Sequence, residues 1–192
     1  MKQNLVFLFK AMSLYGILAA AFSLIGIFLP EKQALASPLS ALTIEHVGGH
    51  ILWGLVAGAA SLSLRYFLLT GSFAIILDSD HLIDFIGLDA ISRMGHSIPF
   101  AVLSSVVMIL LLGRKDYVLA SAAFAGVLAH ISFDIFQASS SSFPIFTPFY
   151  SEDIWFRNAD WFLFQIAAII IVGTMTILTK WKMHEKSQYA SG

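Results

Sequence analysis

Uncharged apolar blocks make up most of this chain, and short polar or charged segments punctuate them. Ala11 to Leu29 runs nineteen residues without a charge, between Lys10 and Pro30-Glu31-Lys32. One bilayer crossing takes about 20 residues, so this block predicts a first membrane helix. Ala34-Leu35-Ala36 resembles a secretory cleavage pattern, but the apolar stretch exceeds the roughly 7 to 15 residues of a signal core, so residues 1–36 read as an uncleaved anchor in preference to a signal peptide. Residues 30–45, with two prolines, predict an outer loop or surface segment. Val47 to Leu64 predicts the second span, closed by Arg65; its Gly48, Gly49, Gly54 and Gly58 suit close helix approach. Tyr66 to Leu77 is twelve residues, about 18 Å of helix, too short to cross about 30 Å of hydrocarbon alone. The third helix is therefore expected to continue through Asp78 to Asp84. Ile98 to Leu112 predicts a fourth, with Pro99 in its first turn. Tyr117 to Ala138 predicts a fifth, Ser139 to Asp160 a long outer loop, and Trp161 to Thr179 a last span before a tail over 180–192.

Composition agrees with this pattern. Apolar residues are 58% of the chain, charged residues 12%, and mean hydropathy is +0.81, which is the profile of a membrane protein and leaves no room in 192 residues for a separate soluble domain. The expected fold is thus all-α, one integral membrane bundle over 1–192 with about six membrane helices. No basic run is long enough to suggest nucleic acid. With both termini cytoplasmic, the inner side collects Lys2, Lys10, Arg65, Arg114, Lys115, Lys180, Lys182 and Lys186, against Lys32, Arg93 and Arg157 outside. Eight against three satisfies the positive-inside rule and predicts a multi-pass protein of the cytoplasmic membrane.

The costly residues now stand out. Leu77-Asp78-Ser79-Asp80-His81-Leu82-Ile83-Asp84 places three carboxylates and an imidazole beside an apolar run, where each charge costs a few kcal/mol unless paired, hydrated or bound to a cation. Five of the six histidines, His46, His50, His81, His96 and His130, also lie beside or inside apolar runs. Counting from the basic anchors at about 1.5 Å per residue puts His50, Asp80, His96 and His130 each about 20 to 24 Å up its helix, in one layer of the outer leaflet. His46/His50, Asp80/Asp84 and His130/Asp134 are i,i+4 pairs that share a helix face. Without cysteine, a metal must take nitrogen and oxygen ligands. The candidate metal set is His46, His50, Asp80, His81, His96, His130 and Asp134, holding one or two divalent ions, zinc or manganese foremost. Asp78 or Asp84 is left as a candidate general base. Each has a plainer reading: His46 as an interfacial residue, Asp78 as a helix-end group, Asp84 as a partner of Arg93.

Asp78-Ser79-Asp80-His81, Arg93-Met94-Gly95-His96-Ser97, His130 with Asp134, and Thr147-Pro148-Phe149 together resemble, in order, the motifs of the LexA-regulated, inner-membrane, metal-dependent hydrolase family. The resemblance covers about residues 43–150. It implies a membrane-bound metal-dependent hydrolase, with the early histidine at His46 or His50 and the acidic motif at Asp78, Asp80 and His81. The family's usual first histidine of the His-Arg-Gly stretch is replaced by Ile91 or Ser92, and Gly95 stands where threonine is usual. A site recessed in the outer leaflet suits a lipid or other amphiphile entering sideways, a phosphoester foremost. The rival readings are a divalent-cation or proton-coupled transporter and a noncatalytic membrane scaffold; oligomeric state is left open.

Overall fold

A computed structural model describes residues 2–29, 43–81, 93–113, 115–150 and 152–190. The protein is mostly helical, with six α-helices among the described residues. They are α1 (Lys2–Leu24), α2 (Ile44–Ala59), α3 (Leu64–Ile76), α4 (Ile98–Leu111), α5 (Tyr117–Ala138) and α6 (Asp160–Ala190). Three helical stretches, Gln3–Phe28, Tyr117–Ala138 and Asp160–Gln188, are long and apolar enough to cross a membrane. α2, α3 and α4 have 16, 13 and 14 residues and fall short of the length that a perpendicular crossing needs.

Helix boundaries follow local chemistry. α2 stops at Ala59, five residues before the expected end at Leu64, because Leu62 adopts a left-handed φ of 51° and the Ser61 hydroxyl donates to Gly58 O at 2.7 Å. Arg65 therefore lies in the first turn of α3 and does not close α2. α3 does not continue as α-helix through Asp84: it tightens into a 3-10 turn at Leu77–His81. Asp84 lies outside the described residues, and so do the side chains of Asp80 and His81. Ser97 caps α4 by accepting from Phe100 N, with Pro99 in the first turn as expected. Asp116 caps α5 by accepting from Leu119 N at 2.9 Å. α6 runs to Ala190, eleven residues past the expected end at Thr179, so most of the supposed tail is helix.

The fold also departs from all-α. The 139–160 segment holds an antiparallel hairpin, β1 (Ser140–Phe143) with β2 (Ile154–Arg157), in the register Ser141↔Phe156 and Phe143↔Ile154. Ser139 ends α5 with a φ of 59°, and Ile98 N donates to Ile145 O at 2.9 Å, which ties the hairpin to the start of α4.

α5 is the central helix, with 94% of its spanning window buried, and α2, α3, α4 and α6 pack around it. α1 lies on α3, the Leu77–His81 turn and α4. On that side Tyr15 stacks on Phe73 at 4.4 Å and meets Phe100 edge-on at 5.5 Å, a packed aromatic core. α2 sits close on α3 because Gly54 and Gly58 present no side chain there. A Cβ on Gly54 would come within 2.6 Å of Thr70 O. Gly48 faces open space and plays no such part.

Candidate metal centre

Four segments bring their polar side chains to one place. The first turns of α2 deliver His46 and His50 on one face, and the 3-10 turn after α3 delivers Asp78. The Arg93–Ser97 turn before α4 delivers His96, and the last turns of α5 deliver His130 and Asp134. His50, His96 and His130 are fully buried, and the Asp78 and Asp134 side chains are 9% exposed.

The contacts form a closed web. His46 Nε2 lies 3.3 Å from Asp78 Oδ2, His50 Nε2 3.2 Å from Asp134 Oδ1, and His130 Nε2 3.4 Å from Asp78 Oδ1 and 3.5 Å from Asp134 Oδ2. His96 Nε2 is 3.8 Å from Asp134 Oδ2, and the Nε2 atoms of His46 and His50 are 3.0 Å apart. Three overlapping groups result, each with its ligand atoms within 4.8 Å of one another: His46/His50/Asp78, His50/His130/Asp134 and Asp78/His96/His130. Buried groups of this composition can hold a metal ion.

Two observations test the fit. His130 Nδ1 bonds to the Ala74 carbonyl, which can only accept, so Nδ1 carries a proton and Nε2 is the ring atom presented to two carboxylates. That buried Nε2 makes no hydrogen bond. His46 is held in a similar way: Nδ1 donates to Gln137 Oε1 at 3.0 Å, and Nε2 is hydrogen-bonded to Asp78 Oδ2 at 3.3 Å. Carboxylates gathered out of water need positive charge among them, supplied by a bound ion or by protonated rings, and an outer partner on Nδ1 is what orients a metal-binding imidazole. Second, separations of 3.2 to 3.5 Å are longer than most charge-assisted hydrogen bonds. Two ligands each about 2.0 to 2.1 Å from a shared tetrahedral ion stand about 3.3 Å apart. The spacing is therefore compatible with a common ion.

Aromatic rings wall the cluster. His50 stacks on His130 at 3.7 Å, Phe133 meets His50 edge-on at 4.8 Å, and Phe143 of β1 lies parallel to the His96 ring at 5.7 Å. Hydrocarbon walls keep bulk water away and strengthen electrostatic interactions inside.

Of the residues singled out from the sequence, the structure assembles His46, His50, Asp78, His96, His130 and Asp134. Asp78, first assigned to proton transfer, lies among the histidines with both oxygens engaged. Asp80, His81 and Asp84 are not part of this description, for the reason given above. Gln137 went unnoticed in the sequence, and Arg93 was read there only as a motif residue and a partner of Asp84. Gln137 lies on the His130/Asp134 face of α5, a 130, 134, 137 spacing that was legible but overshadowed by the ionisable residues. Arg93 places its guanidinium 4.0 Å from Asp134 Oδ2, donates to Ser141 Oγ at 3.2 Å and lies over the Phe143 ring. Its side chain is 34% exposed, at the rim of the cluster. No family model, no curated protein and no solved structure matches this chain.

Proposed function

We propose that this protein is a membrane-embedded metal-dependent hydrolase, as its motif resemblance implies, and that its substrate is a phosphoester. The observation that carries the reading is the buried cluster itself, three groups of His and Asp ligand atoms each within 4.8 Å of one another, with His130 Nδ1 tied to the Ala74 carbonyl so that Nε2 faces both carboxylates. His46, His50, His96, His130, Asp78 and Asp134 would hold one or two divalent ions, zinc or manganese by ligand chemistry. Such an ion supplies Lewis acidity, making water a better nucleophile near neutral pH and polarising the phosphoryl oxygen.

The chain's own residues do the rest. Asp78 and Asp134 set the charge of the site, Gln137 and the Ala74 carbonyl fix the rings of His46 and His130, and Phe133 and Phe143 exclude bulk water. With Asp78 engaged by histidines, Asp84 remains the candidate base. Arg93 favours a phosphoester over a carboxylic ester, because a guanidinium fork at the rim matches two phosphoryl oxygens. Hydrolysis consumes one water: its oxygen bonds to phosphorus, the ester P–O bond breaks, and the leaving alkoxide takes up a proton.

A carrier is less well supported. Between the cluster and Asp116 at the far end of α5, the interior is built of Leu69, Phe73, Ala123 and Val127, with no buried carboxylate, imidazole or basic side chain among the described residues. Elemental analysis of the detergent-purified protein tests the reading. The expected result is one to two equivalents of metal in the wild type, lost together with phosphoester turnover in His130→Ala and His96→Ala. A wild type that is well folded yet binds no added zinc or manganese would leave only a structural polar layer.

A further inference from the structure

Away from the cluster, an apolar groove of about 600 Å³ runs between α4, α5 and α6 under strand β2. Its walls are Ile98, Phe124, Leu128, Phe164, Ala167 and Ile171, and Trp155 and Asp160 stand at one end. We propose that this groove holds an acyl chain of the substrate, so that the phosphoester is a lipid; this rests on the hydrolase reading above.

Four features select that occupant. Two walls, α5 and α6, are long and apolar enough to cross a membrane, so an apolar opening between them suits a hydrocarbon occupant. Its length along α6, from Asp160 to Ile171, is about 16 Å, close to the roughly 15 Å that one leaflet of a bilayer spans. Spread over that length, its volume leaves room for an extended alkyl chain. Finally, its polar end is level with the cluster. The Ser132 hydroxyl donates to Trp161 O at 2.7 Å, which pins the start of α6 beside the His130–Asp134 turn of α5. The same hairpin serves both places: Phe143 lies on His96, and Phe156, in contact with Phe143 at 6.3 Å, lines the groove. A lipid with its chain in the groove thus has its head at the height of the candidate ligands and Arg93.

The test compares butyl phosphate with hexadecyl phosphate in mixed micelles, reading released phosphate, metal content and, by native mass spectrometry, lipid retained per chain. Ala167→Trp and Leu163→Trp fill the groove; Ile170→Trp, an exposed position outside its lining, is the control. The wild type and the control should show kcat/KM at least about tenfold higher for the long chain, since burying methylenes is favourable. Both groove variants should lose that preference while keeping metal and butyl phosphate turnover. Retained preference in both variants, or equal loss of both substrates with metal intact, overturns the assignment. If no form turns over either phosphate, the hydrolase reading fails, and retained lipid judges the groove: one per chain in wild type and control but none in the variants supports it, and no difference overturns it. A dimer that the groove variants split would make a second copy the occupant and also overturn it.

Discussion

His130 shows how one side chain can report the purpose of a site. Its Nδ1 is committed to the Ala74 carbonyl, in the last turn of α3 where helical carbonyls lose their own partners, and its Nε2 is thereby aimed at Asp78 and Asp134. His46 is held in the same way by Gln137, at a more exposed edge. This arrangement makes Gln137 a positioning residue with a measurable role. Gln137→Ala should weaken metal affinity by about 10- to 100-fold, the usual cost of losing an outer partner, while Gln137→Glu should retain it. A competition titration with a chelating dye reads both, and circular dichroism should show unchanged helix content. Unchanged affinity in Gln137→Ala would mean that the His46 ring is not held for a ligand. Ionisable residues were visible in the sequence because apolar surroundings make them expensive. Gln137 was not, since it carries no charge, and Arg93 was read only as a motif residue and a partner of Asp84, because its approach to Asp134 and Ser141 depends on the folded hairpin.

At the level of elements, close packing depends on a few backbone choices. The α2–α3 pair rests on Gly54, whose missing side chain lets Thr70 and Gly71 approach. Gly54→Val should destabilise the protein by about 1 to 3 kcal/mol through overpacking, seen as a lower midpoint in thermal unfolding in detergent. The folded fraction should also bind metal more weakly, because a side chain on Gly54 would come within 2.8 Å of Ala74, whose carbonyl holds the His130 ring; a variant as stable as the wild type would show that the two helices are free to separate. Helix cores were legible from apolar runs, and Asp116 and Ser97 marked two starts. The early end of α2 was not, because Leu62 in a left-handed conformation has no sequence signal of the kind a glycine would give. The hairpin was missed for a related reason. Serines have little strand preference, and β1 is held by tertiary partners, including Ser142 Oγ to Asp153 at 2.6 Å and Arg93 to Ser141.

For the whole molecule, the distribution of charge makes a statement about orientation. The hairpin and the cluster belong to the end with most carboxylates, and Lys115, Lys180, Lys182 and Lys186 to the opposite one. The chain contains no cysteine, so single cysteines report sidedness without background. A membrane-impermeant maleimide should label Glu152→Cys in intact cells and Glu185→Cys only after permeabilisation. The reverse pattern would place the cluster toward the cytoplasm and remove the basis for an outer-leaflet substrate.

Sequence alone determined the membrane character, the apolar helices and the short list of costly side chains, because these follow from composition and from spacing along one helix. Tertiary structure decided which of those side chains meet. Residues as distant in the chain as His46 and Asp134 are brought to within an ion's reach only by the packing of α2, α3 and the α4 turn around α5, and that arrangement depends on shape complementarity between helices, which no local pattern encodes. Tertiary structure likewise opened the groove beside α6, since a cavity is what neighbouring elements leave unfilled and not a property of any of them.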